Sequence, residues 1–208
     1  MLTLLAAIAV GYMLGAIPSA ELAARLKGRR IFDVGSGNMG AMNTARNLGI
    51  ALGVAVLVAD VAKGAAATAL ALAMASTAGL GSEARFAVAL AAGLAAVVGH
   101  AWSVYVGWRG GKALATILGV ALPLYPWGGL AGLGLILALL LITRRAHLAA
   151  VLTLIAYPWL VALAALRTGE PTETAFALFT GTLPLTVVSL VKHLPRRRRG
   201  PDAPPPSA

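Results

Sequence analysis

The chain has 208 residues, of which 59% are hydrophobic and only 12% charged, with a mean hydropathy of +0.85. Water-soluble domains are about 45–50% apolar and about 25% charged, so this composition excludes a soluble enzyme and points to an all-α, polytopic transmembrane helix bundle. A formal net charge of +10 raises the question of nucleic acid, and the absence of cysteine excludes disulfides, thiolate catalysis and cysteine metal sites.

Crossing roughly 30 Å of hydrocarbon takes about 20 apolar residues in a helix. Spans are expected at about 2–26, 50–77, 84–107, 112–124, 127–143, 147–166 and 174–192, seven in all, with six or five as the alternative counts. The first is read as a span and not as a cleaved leader, because Met1 to Val10 carries no basic segment and Glu21 and Arg25 follow the apolar core. Between the first two spans lies Gly35-Ser36-Gly37-Asn38-Met39-Gly40-Ala41-Met42-Asn43-Thr44-Ala45-Arg46. Its opening satisfies G-x-G-x-x-G, but that pattern marks dinucleotide binding only inside a βαβ unit, and none surrounds it. The physics of the glycines remains: they let backbone N–H groups converge on an anion, and the positive N-terminus of the helix that follows favours phosphate. Ser36, Asn38 and Asn43 add neutral hydrogen-bonding groups, and Arg46 adds a permanent cation capable of two-pronged binding.

The second span contains Asp60 and Lys63, opposite charges on one helical face, which either neutralise each other to fix packing or serve a substrate. The third runs into Gly99-His100, an aromatic stretch and Gly110-Gly111-Lys112. This is one residue short of a phosphate-binding P-loop and lacks its Ser/Thr, yet a second anion cradle with Lys112 as point charge fits it. Leu122 to Trp127 holds two prolines with aromatics between them, an expected tight turn between two shorter helices. Thr143, Arg144, Arg145 and His147 follow the fifth span, and Ser189, Lys192 and His193 end the seventh. The membrane domain is drawn at 1–193, and the basic, proline-rich remainder, 194–208, is expected to be a disordered cytoplasmic tail.

Seven spans place every lysine and arginine except Arg85, Arg167 and the intramembrane Lys63 at the same face. Basic residues of short loops collect on the cytoplasmic side, so the N-terminus is expected outside and the C-terminus inside. Attraction to an anionic inner leaflet accounts for the net charge, and no nucleic acid partner is needed. Three scattered histidines give poor support to a metal site, and no cofactor is indicated.

These motifs resemble the bacterial integral-membrane acyl-phosphate:glycerol-3-phosphate acyltransferases. The family's GSGNxGATNxxR is matched by Gly35 to Arg46 with Met42 in place of threonine, its D-x-x-K-G by Asp60 to Gly64, and its GH…GGKGVAT by Gly99 to Thr116, with Ala113 and Leu114 as departures. The resemblance implies a seven-helix fold in the bacterial inner membrane, with the lipid bilayer as surroundings. It also implies transfer of an acyl group from acyl phosphate to the 1-hydroxyl of glycerol 3-phosphate, giving lysophosphatidic acid and inorganic phosphate at a cytoplasmic active site. It implies catalytic roles for Ser36, Arg46 and Lys112. Substrate contacts would come from Gly35, Gly37, Asn38, Gly40, Asn43, Lys63, His100, Gly110, Gly111, Thr116 and His193. The chain departs from the family near its end, where His193 is kept, Arg196 stands at an asparagine position and a glutamate is absent; His147 stands where the family has serine. A membrane transporter or anion-binding protein for phosphorylated small molecules is the competing class, since intramembrane Asp60, Lys63 and His100 would also suit an ion pathway.

Overall fold

The computed structural model describes residues 1–194, so Arg196 and the tail lie outside the described residues. Among the described residues the regular structure is helical apart from one isolated antiparallel bridge between Ser103 and Arg109, and no strand lies beside the G-x-G-x-x-G stretch. Helices α1 (Leu2–Ala16) and α2 (Ser19–Arg25) divide the expected first span. Pro18 supplies no N–H and drives Ile17 out of the helical region, to φ −52° and ψ 118°. The carbonyls released at this break are captured from elsewhere in the bundle: Ser103 Oγ donates to Ala16 O at 2.5 Å and Lys63 Nζ to Ile17 O at 2.9 Å.

The connection to the second span contains a helix of its own, α3 (Ala41–Leu48), ended by Gly49 at φ 113°. Helix α4 (Ile50–Thr77) has the bounds expected from the sequence. Helix α5 (Ser82–Ala101) stops at Ala101 instead of continuing to 107, because the chain folds back: Ser103 N–H donates to Arg109 O and Trp108 N–H to Ser103 O. Then come α6 (Leu114–Leu124), α7 (Pro126–Thr143), α8 (Ala146–Arg167) and α9 (Thr172–His193). The expected proline turn is present, with Tyr125 as the joint and Pro126 at the first position of α7, where a missing N–H is harmless.

Among the described residues, six segments are long and apolar enough to cross a membrane: α1 with α2, then α4, α5, α7, α8 and α9. The expected seventh span is the 11-residue α6, which at 1.5 Å per residue reaches only about 16 Å. Helix α1 packs on α5, α4 on both α5 and α6, and α7, α8 and α9 pack in sequence, with α5 and α6 touching α9. The α4–α6 contact is backbone to backbone, since a Cβ on Gly119 would collide with the Val61 carbonyl. Val97, Val120, Leu154, Val161 and Leu178 belong to the main core cluster. Leu57, Val58, Leu141, Ile142, Trp159 and Phe176 are exposed around the bundle, as a lipid-facing surface requires.

Candidate active site

The first element is the loop before α3. Gly35 and Gly37 take φ of 55° and 65°, a left-handed geometry that costs glycine little. Asn43 holds the loop closed: its Nδ2 donates to Val34 O at 2.9 Å and Asn38 O at 3.1 Å, while its Oδ1 accepts Ser36 N–H at 3.1 Å. Asn47, one turn on, donates to Asn43 Oδ1 at 3.1 Å. Gly37 N–H goes to Val34 O, Asn38 N–H to Ser36 Oγ and Gly40 N–H to Asn38 O. The N–H groups of Ser36, Gly37, Asn38 and Gly40 are therefore engaged within the loop. What the loop presents instead is the N-terminus of α3, the exposed Ser36 and the partly exposed Asn38. Arg46 is exposed at i+3 from Asn43 and has no ion-pair partner among the described residues.

The second element is the turn after α5, and it touches the first. Gly111 N–H donates to His100 O at 3.1 Å, and a Cβ on Gly111 would run into both His100 Nε2 and the carbonyl of Met39. Gly110 lies equally close to the carbonyls of His100 and Ala101, so both positions accept only glycine without displacement. Arg109 stacks over Phe32 of the first loop at 3.8 Å, a second tie between the two. Below Gly111 is a buried polar group: Asp60 Oδ1 lies 2.8 Å from Lys63 Nζ and 3.6 Å from His100 Nδ1. The Lys63 ammonium is thus held by Asp60 and by Ile17 O.

Lys112 follows with a half-buried side chain whose ammonium has no partner among the described residues; burial pushes it below the usual lysine range. Its carbonyl accepts from Ser189 Oγ of α9. Lys192 of the same helix donates to Ala101 O at 2.6 Å and lies over the Trp102 ring. His193, bonded through Nδ1 to Ser189 O at 2.9 Å, faces His147 across 5.4 Å between ring centroids, with Lys112 an electrostatic neighbour. Ala113 opens α6 at φ 61°, and Thr116 is buried with its hydroxyl unpartnered among the described residues, its carbonyl against Gly64.

The structure thus brings the 35–46 and 99–112 motifs into contact, places Asp60 and Lys63 beneath them and closes one side with α9. Three supporting residues escaped sequence reasoning: Asn47, Ser103 and Glu21, whose Oε2 accepts Ile31 N–H at 2.9 Å and closes the turn after α2. Asn47 and Glu21 carried a signal, through the i,i+4 spacings of Asn43 to Asn47 and of Glu21 to Arg25.

Residues 5–200 match the sequence profile of the glycerol-3-phosphate acyltransferase family. A glycerol-3-phosphate acyltransferase of Parasynechococcus marenigrum is 44% identical over 161 residues, covering 77% of this chain and 72% of that one. One of Dehalococcoides mccartyi is 42% identical over 158 residues, 73% of each. The crystal structure of PlsY, an integral membrane glycerol 3-phosphate acyltransferase, in its glycerol 3-phosphate form superposes with a TM-score of 0.74 at 32% identity, covering 91% of this chain and 88% of that one. Its lysophosphatidic acid form gives 0.73 at 30% identity, with 91% and 87% covered. Profile, relatives and architecture agree, and the chain belongs to the glycerol-3-phosphate acyltransferase family of integral membrane enzymes.

Proposed function

We propose that the enzyme transfers a fatty acyl group from acyl phosphate to the 1-hydroxyl of glycerol 3-phosphate at the cytoplasmic face of a bacterial inner membrane. The observation that carries this reading is the contact between two glycine-rich loops at Gly111 and Met39, which gathers cationic and amide groups without a nearby carboxylate pair or thiol. Such a set suits two phosphate-bearing substrates.

The hydroxyl oxygen attacks the acyl carbonyl carbon, the new ester C–O bond forms, and the bond from that carbon to the phosphate oxygen breaks. The hydroxyl proton passes to a phosphate oxygen, so lysophosphatidic acid and inorganic phosphate leave in balance. Acyl phosphate already has a good leaving group, and the protein's task is alignment and neutralisation of charge on the departing phosphate. Ser36 and Asn38 beside the N-terminus of α3, with Arg46 on its exposed face, suit the donor phosphate. Lys112 suits the phosphate of glycerol 3-phosphate, with His193 adjacent. Asn43, Gly35, Gly37 and Gly40 shape the first loop, Gly110 and Gly111 the second, and Lys63, His100 and Thr116 support it from below. The bonds Asn43 makes favour a bracing role over a ligand role.

The test is phosphate release by detergent-purified enzyme given palmitoyl phosphate, with and without glycerol 3-phosphate. Acceptor-dependent release is expected, falling about 100-fold or more in both Arg46→Ala and Lys112→Ala, the usual scale for losing one charge-stabilising donor. Undiminished release in both variants would refute the assignment of these residues.

A further inference from the structure

A chain of four contacts runs from the break in the first span to the second glycine loop. Ile17 O accepts from Lys63 Nζ at 2.9 Å, Lys63 pairs with Asp60 Oδ1 at 2.8 Å, and that oxygen lies 3.6 Å from His100 Nδ1. His100 then holds Gly111 twice, through its carbonyl at 3.1 Å and through the imidazole edge at Nε2, against which Gly111 sits without room for a Cβ. Asp60, Lys63 and His100 are 3%, 6% and 3% exposed, so their charges and polar atoms must satisfy one another.

His100 Nδ1 is buried and has no hydrogen-bond partner among the described residues. Its polar neighbour is the carboxylate oxygen, which can only accept. A lone pair on Nδ1 would face that oxygen's lone pairs in a medium of low dielectric; a proton there turns repulsion into attraction. The 3.6 Å separation is longer than a hydrogen bond, as unliganded sites often show before substrate tightens them.

We infer that Asp60, anchored by Lys63, is a positioning residue for the acyltransfer site: it fixes His100 with the proton on Nδ1 and Nε2 bare against Gly111, and so sets the position from which the loop presents Lys112. The inference rests on the reading of the two loops as the glycerol 3-phosphate acyltransferase site. Its effect is confined to the loop that His100 supports and does not extend to the donor side, where Ser36, Asn38 and Arg46 are held by Asn43 and α3.

Two measurements test it. The first is the 15N spectrum of histidine-labelled enzyme in detergent at neutral pH, with the His100 signal identified by its loss in His100→Gln. A proton on Nδ1 with Nε2 bare is expected; a proton on Nε2, alone or with Nδ1, overturns the inference. The second uses Asp60→Asn combined with Lys63→Met, so that no unpaired charge is left in the bundle. The KM for glycerol 3-phosphate is expected to rise roughly tenfold or more, with the KM for acyl phosphate unchanged and no further rise when His100→Ala is added. Parental KM values, equal shifts for both substrates, or multiplicative effects with His100→Ala would contradict it. If the combined variant does not fold, the 15N result on the unaltered enzyme decides. Inactivity of the unaltered enzyme would refute the functional reading, whereas a misplaced His100 proton in an active enzyme refutes only this inference.

Discussion

Lys112 and Ala113 are adjacent, and each has a measurable consequence. Burial lowers the Lys112 pKa, so the free enzyme loses this charge as pH rises sooner than an exposed lysine would. Bound phosphate restores the ammonium, so the loss belongs to kcat/KM for glycerol 3-phosphate and not to kcat. An alkaline fall in kcat/KM is therefore expected, and Lys112→Arg, whose guanidinium stays charged, should flatten it; an identical fall in both would assign it elsewhere. Ala113 is buried with φ at 61°, a region that costs an L-residue roughly 1–2 kcal/mol. Ala113→Gly removes that strain but adds freedom to the unfolded chain, leaving a gain of up to about 1 kcal/mol. Thermal melts should show a midpoint a few degrees higher. The residues of the candidate site could be named from the sequence because the glycine motifs carry their own physics. Their uses were less so: Asn43 reads as a ligand in sequence, and its three hydrogen bonds to the loop become visible only once the loop's path is known.

At the scale of elements, hydropathy located the long helices, and α4 was legible to the residue because a glycine precedes it and a turn follows. Three features were hidden. The break at Pro18 lies inside an apolar run and depends on Lys63 and Ser103 to receive its carbonyls, partners 46 and 87 residues away. Helix α3 is too short and polar for a hydropathy signal. Helix α6 is apolar but only 11 residues long, so apolarity overstated the number of spans. The α4–α6 crossing that places α6 gives its own prediction: Gly119→Leu drives a side chain into the Val61 carbonyl and should sharply reduce folded yield, overpacking of this kind costing about 1–3 kcal/mol or more. Gly134→Leu on α7, where a Cβ meets nothing within 4 Å, should leave yield unchanged. Equal yields would show that the helices can separate at this crossing.

Across the whole molecule the division is between an apolar girdle and one polar face. The girdle explains why the composition excluded a soluble enzyme. That arrangement suits an enzyme joining a water-soluble acceptor to a donor with a long acyl chain, the proposed reading having the phosphates meet at the loops and the chain stay in hydrocarbon. The most direct measurement is donor choice. Purified enzyme in detergent, with no gradient across any membrane, is given glycerol 3-phosphate with either palmitoyl phosphate or palmitoyl-CoA, and lysophosphatidic acid is measured by mass. The account predicts product from palmitoyl phosphate alone, with one inorganic phosphate released per ester formed. Product from palmitoyl-CoA, or folded enzyme that makes none from either donor, would contradict it.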